Sequence, residues 1–262
     1  MARDEGDNMQ LRDQVAIVTG ARQGIGLAIS EAFAQEGATV VMVARDAERL
    51  QQAALGIGDL GAVSACPADV SDEADVARIF ASTAAEHGRI DILVNNAGIA
   101  GPTAPIDEVD LADWRQCLET NLTGAWLCCR EAARHMKPQR SGKIVNIGSI
   151  SGKRPLPQRT PYCASKMGLV GLTRTLAAEL GRYDINVNCI SPGAVNTARL
   201  ALLAERASMS LDEFLDRVSQ GAALGRVTEA DDVARLCTFL ASSAARNVTG
   251  QDLTIDAGTH MD

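Results

Sequence analysis

The sequence predicts an α/β protein: one domain on a doubly wound parallel sheet of about seven strands, with helices on both faces and a small helical lid. Three observations carry this. Short apolar runs of strand length alternate, from Val15 to the C-terminus, with longer stretches whose apolar residues recur at helical spacing. Several of the short runs are apolar throughout, as parallel strands covered on both faces should be. The first run also ends in a glycine-rich turn that opens directly into an amphipathic helix.

The predicted strands are Val15–Thr19, Thr39–Val43, Val63–Cys66, Ile92–Val94, Lys143–Ile147, Asn186–Ile190 and Leu253–Ile255. Helical patterns fall at Gly24–Glu36, Ala47–Leu55, Asp72–His87, one long stretch Leu111–Met136, Pro161–Arg182 and Asp231–Ala241. Thr197–Gly221 is helical in pattern with no strand close behind it, so it reads as an insertion outside the sheet, a lid spanning about residues 194–225. Met1–Leu11 is expected to be a frayed tail before a single domain covering 12–262.

A formal charge of −8, with Lys and Arg scattered along the 262 residues, leaves no basic footprint for nucleic acid. The charged start is unlike a secretory signal and no apolar run has bilayer-spanning length, so a cytoplasmic protein with no membrane partner is expected. The seven cysteines form no CxxC pair and have no histidine at metal spacing; they read as reduced core residues, and no metal is expected.

The turn after the first strand is Gly20-Ala21-Arg22-Gln23-Gly24-Ile25-Gly26. Glycines there let the backbone approach a pyrophosphate, whose charge is met by the amides of the following helix. Farther on, Tyr162 and Lys166 stand four residues apart on one predicted helix and so share a face. An ammonium beside a phenol stabilises the phenolate, and each unit of lowered pKa is worth about 1.4 kcal/mol. That pairing suits proton exchange with an alcohol or ketone near neutral pH.

With its T-G-x-x-x-G-x-G turn (Thr19–Gly26) and Tyr-x-x-x-Lys pair, the chain resembles the short-chain dehydrogenase/reductase family along almost its whole length from Leu11. The resemblance implies a Rossmann fold and an NAD(P)-dependent oxidoreductase that moves a hydride between nicotinamide and a secondary alcohol or ketone. It implies a catalytic set of Asn121, Ser149, Tyr162 and Lys166, with Ser149 on the substrate oxygen and Asn121 serving a water relay through the lysine. Taken singly each has an ordinary reading as a turn or helix residue; together, downstream of the glycine turn, they point to an active site.

For the cofactor the resemblance implies Gly20, Arg22, Gln23, Gly24, Ile25 and Gly26 in the turn, Asp69 and Val70 at the adenine, and Asn95, Ala97 and Gly98 after the fourth strand. Pro192, Gly193, Val195 and Thr197 match the segment that holds the carboxamide, and Tyr162 and Lys166 also contact the cofactor. At the end of the second strand, Ala44 stands where NAD-preferring relatives carry Asp, and Arg45 where many NADP-preferring relatives carry Arg. NADP(H) is expected ahead of NAD(H), with Arg45 alternatively a solvated helix-start residue paired to Asp46 or Glu48.

The substrate is the least legible part. Arg159, three residues before Tyr162, and Arg199, at the lid's start, are candidates for gripping an anionic group or, equally, for surface or interface roles. Reduction of 3-oxoacyl thioesters and oxidation of sugars or polyols remain alternatives, as does a cofactor-sensing regulator without catalysis. A homotetramer is implied by the resemblance alone.

Overall fold

A computed structural model describes residues 9–154 and 156–261. In chain order these form β1 (Val15–Thr19), α1 (Gly24–Gln35), β2 (Thr39–Ala44), α2 (Ala47–Ile57), β3 (Val63–Pro67), α3 (Glu73–His87), β4 (Ile92–Asn95), α4 (Leu111–Leu118), α5 (Gly124–Gln139) and β5 (Gly142–Ile147). There follow α6 (Ile150–Lys153), α7 (Thr160–Leu180), β6 (Ile185–Pro192), β7 (Val195–Asn196), α8 (Ala198–Arg206), α9 (Leu211–Gln220), β8 (Thr228–Glu229), α10 (Ala230–Ala241) and β9 (Asp252–Ile255).

Seven strands make one parallel sheet in the order β3-β2-β1-β4-β5-β6-β9. Strand side chains alternate between two apolar layers, which is why runs such as Val15–Val18 and Val40–Ala44 are apolar at successive positions. Ala16, Val18, Val40 and Met42 pack with Ile29 and Phe33 of α1 and Val233 and Leu240 of α10. Ile17, Val41 and Val43 face the other way, onto Ile79 and Phe80 of α3 and Leu127 and Met136 of α5. Local signals set the helix ends: Asp72 accepts from the Asp75 amide at the start of α3, and Gly88, at φ 73°, closes it. The chain reverses its direction of travel between β1 and β4, and that switch point opens a crevice at the strands' C-terminal ends. No helix among the described residues is long and apolar enough to cross a membrane.

The structure departs from the sequence reading in three places. The stretch read as one helix, Leu111–Met136, is two helices joined by a π-helical turn at Glu119–Thr123. Asn121 in that turn accepts from the Ile99 amide (2.8 Å) and donates to the Ile99 carbonyl (3.0 Å), tertiary bonds that favour the widened turn. The expected tail ends too late: Leu11 is fully buried, its amide donates to the Glu36 carbonyl (3.0 Å), and residues 1–8 lie outside the described residues. Finally, the segment carrying α8 and α9, which lies outside the main sheet as expected, is bracketed by a short parallel pair, β7 with β8, that no periodicity announced.

Candidate active site

Two cavities meet at the switch point. The first, about 370 Å³, runs past the glycine turn and the ends of β2 and β3, and is bordered by Gly20, Arg22, Gln23, Gly24, Ile25, Arg45, Asp69, Val70, Ala97 and Gly98. The residues fit a dinucleotide. Gly20 sits at φ 65°, and a Cβ there would lie 2.8 Å from Ala97 Cα, so only glycine lets the turn lie this close to the strand end. Gln23 gives α1 no side-chain cap and the first turn of α1 holds no acidic residue, leaving the helix amides for an anion.

Asp69 and Arg45 share the far end of this groove. Burial works against the Asp69 carboxylate, but hydrogen bonds from Ser71 Oγ (2.7 Å) and the Ser71 amide (3.0 Å), with the Arg45 charge, hold its pKa below the usual value. Arg45 lies 3.7 Å from Asp69, not against Asp46, whose carboxylate caps α2. The Arg45 side chain is 60% exposed, so its guanidinium remains accessible at the groove edge.

Two of the predicted groove residues are placed otherwise. Asn95 points away from the groove: its amide donates to Asn146 Oδ1 (2.9 Å) and Cys129 Sγ (3.2 Å), tying β4 to β5 and α5. Gly26 is buried under the turn, where a side chain would overlap the Gly20 carbonyl and the Asn96 amide, so it is a packing residue. The residue missed was Asn96, whose side chain donates to the carbonyls of Thr19 (3.0 Å) and Gly20 (3.1 Å) and so braces the turn. The doublet Asn95-Asn96 was visible, but only the pleat decides which of the two faces the groove.

The second cavity, about 500 Å³, shares Ile25, Asn96, Gly98, Thr197 and Arg199 with the first. Ser149, Tyr162, Lys166, Pro192, Gly193 and Val195 line it, as do Arg159 and Arg199. The Gly193 amide donates to the Ile255 carbonyl (3.0 Å), and a Cβ at Gly193 would come 2.5 Å from Asp256 Cβ, which fixes the Pro192-Gly193 turn against the end of β9.

Tyr162 is surrounded by cations. Lys166 Nζ lies 5.9 Å from the ring centroid, Arg159 Cζ 5.2 Å and Arg199 Cζ 4.9 Å. Burial pushes the phenol pKa up, but Lys166, Arg199, a hydrogen bond with Ser149 and Arg159 together bring it below its ordinary value. Burial also lowers the Lys166 pKa, partly countered by Tyr162, while the Ile147 carbonyl accepts from Nζ at 2.7 Å.

Asn121 borders neither cavity. Its amide donates to Ser165 Oγ (3.0 Å), which donates to the Tyr162 carbonyl (2.8 Å). A Cβ placed on Gly98 would lie 3.2 Å from Asn121 Oδ1 and 3.6 Å from Lys166 Nζ, so both groups look onto the space above that glycine. All seven cysteines are free thiols, and burial raises the thiol pKa of Cys163, next to Tyr162.

Comparison with known proteins agrees with this geometry. The family model described as enoyl-(acyl carrier protein) reductase matches residues 20–260. D-threitol dehydrogenase of Mycolicibacterium smegmatis is 40% identical over 253 residues, covering 96% of this chain and 94% of that one. Cis-4-hydroxycyclohexanecarboxylate dehydrogenase of Sinomonas cyclohexanicum is 39% identical over 249 residues, covering 94% and 96%. Among solved structures, levodione reductase superposes with a TM-score of 0.89 at 33% identity, covering 94% of this chain and 97% of that one. The protein is an NAD(P)-dependent oxidoreductase of alcohols and ketones, and it belongs to the short-chain dehydrogenase/reductase family.

Proposed function

We propose that Tyr162 exchanges the proton with the substrate oxygen, and that the observation carrying this is the set of three cations and one serine around its buried ring. The nicotinamide cofactor, when bound, accepts or supplies the hydride. In alcohol oxidation Tyr162 acts as phenolate and takes the hydroxyl proton; in ketone reduction it donates that proton back. Ser149 holds the substrate oxygen beside Tyr162. Lys166 holds the phenolate by charge and contacts the cofactor, as Tyr162 does. The space above Gly98 suits a water between Asn121 and Lys166, a route for the proton to solvent.

Gly20, Arg22, Gln23, Gly24 and Ile25 take the pyrophosphate side, Asp69 and Val70 the adenine, Ala97 and Gly98 the middle, and Pro192, Gly193, Val195 and Thr197 the carboxamide end. NADP(H) is the preferred cofactor and NAD(H) the weaker one, because Arg45 stands accessible at the groove edge with no acidic residue at position 44. The segment 194–225 acts as a lid on a single catalytic unit whose core takes in Leu11. The seven free thiols support a cytoplasmic setting. Exposed Leu111, Trp126 and Met167 on α4, α5 and α7 support subunit packing in a homotetramer.

Arg45→Ala is expected to weaken NADPH binding by about ten- to a hundredfold, the worth of a charged hydrogen bond, and NADH binding by less than threefold at about the same conditions. Titration followed by nicotinamide fluorescence reads both. Equal losses for the two cofactors would remove Arg45 from the 2′-phosphate, and wild-type protein binding neither would remove the groove's assignment.

A further inference from the structure

Lys166, Arg154, Arg159, Arg199 and Arg217 all line the cavity that holds Tyr162, and no Asp or Glu among the described residues does. The chain as a whole has the opposite balance, 33 acidic residues against 25 basic ones. Like charges gathered on one cavity repel each other, so the arrangement is complementary to an anion. Cofactor phosphates do not account for it: Arg154, Arg159 and Arg217 line this cavity and not the dinucleotide groove, and only Arg199 borders both.

The arginines come from two segments that face each other across the cavity. Arg154 and Arg159 stand on the loop between α6 and α7, while Arg199 and Arg217 stand on α8 and α9. Arg159 is buried, and its Nη2 donates to the Ala100 carbonyl at 2.7 Å, which fixes the guanidinium beside the Tyr162 ring. Arg199 covers the same ring from the lid side. Arg154, Arg199 and Arg217 are exposed, at the mouth. Glu213, the acidic residue one turn before Arg217, is engaged by the Ser210 amide (2.9 Å) and hydroxyl (2.7 Å) in the helix cap. Leu156, Leu200, Leu203, Phe214 and Val218 form an apolar stretch of the wall, with Ser151 and Thr259 also on the lining.

We propose that the substrate is a small hydroxy- or oxocarboxylate with an apolar body, its carboxylate clamped between Arg159 of the loop and Arg199 of the lid. This rests on the oxidoreductase reading above. Arg154 and Arg217 draw the anion to the mouth. The carboxylate is a spectator: the carbinol C–H bond breaks with its electron pair passing to the nicotinamide ring, and the hydroxyl proton passes to Tyr162. Both guanidinium groups lie next to the tyrosine, so the acid and the reacting carbon belong to one compact molecule, which a long acyl-carrier thioester is not. Of the two relatives compared above, one is named for a neutral polyol and the other for a carboxylate, and this cavity suits the second.

The test uses the full-length enzyme with NADP(H) and NAD(H), comparing alicyclic and aliphatic hydroxycarboxylates with their uncharged methyl esters and with D-threitol. The clamp predicts that kcat/KM for an acid exceeds that for its ester by about ten- to a hundredfold, as charged hydrogen bonds should give. It also predicts that added salt erodes this preference, and that Arg199→Gln or Arg217→Gln lowers the acid-to-ester ratio through KM. Esters or D-threitol turned over as well as the acids, or a ratio untouched by either substitution, would overturn it. Cyclohexanecarboxylate titrated calorimetrically into the NADPH complex separates the two readings. Binding weakened by Arg159→Gln supports the clamp even if no alcohol is turned over, a result that counts against the oxidoreductase reading alone, whereas no binding sinks the clamp alone.

Discussion

Tyr162→Phe is expected to lower kcat by about a hundred- to ten-thousandfold, the usual worth of a positioned acid–base group, while NADPH still binds. The phenyl ring keeps the packing against Arg159, Arg199 and Lys166, and only the hydroxyl near Ser149 is lost. Turnover followed by nicotinamide absorbance, with cofactor affinity followed by fluorescence, separates the two effects. A variant that keeps kcat within about tenfold of wild type would show that the proton travels by another route, because a general acid–base group is worth more than that.

Gly26→Ala is expected to destabilise the protein by about 1–3 kcal/mol and to weaken NADPH and NADH alike. The added methyl would overlap the Gly20 carbonyl and the Asn96 side chain, neither of which can yield without moving the turn it braces. For a chain of this length each kcal/mol corresponds to roughly 2–4 °C of Tm, so thermal unfolding monitored by circular dichroism detects it. Gly56 in α2 is the control: nothing lies within 4 Å of a Cβ there, and alanine should instead stabilise the helix by about 0.5–1 kcal/mol. Two substitutions of one type then act with opposite sign, and a neutral Gly26→Ala would contradict the close approach of turn and strand.

These expectations show which features can be read from a linear sequence. The sheet was legible because β1 and β2 are buried on both faces and therefore apolar from Val15 to Val18 and from Val40 to Ala44, whereas β6, just as buried, carries Asn186, Asn188 and Ser191 among its apolar residues. Tyr162 and Lys166 were legible because helical periodicity alone puts them on one face of α7. The π-helical turn at Asn121 was not, because the bonds that favour it run to Ile99, twenty-two residues away in the chain, while apolar spacing continues across it. Asn95 was assigned to the groove in error and Asn96 overlooked, since adjacent strand-end residues point oppositely and the sequence does not say which face the cofactor takes. Lys153, next to Arg154 in the chain, is instead tied to the last strand, pairing with Asp252 at 3.2 Å and donating to Thr254 at 2.7 Å. Arg217 was passed over inside an amphipathic lid helix, because only the folding back of α9 brings it to the mouth holding Arg154.

The most direct test of the account is the pH dependence of kcat/KM for alcohol oxidation in wild type and in Lys166→Met. The phenolate is the base, so activity should rise with pH and level off above the phenol's pKa, which the surrounding cations place below its usual 10. In Lys166→Met that rise should move to higher pH, and in Tyr162→Phe it should vanish. An identical profile in wild type and Lys166→Met would contradict the central claim that Lys166 and its neighbouring cations make Tyr162 the proton-transferring group.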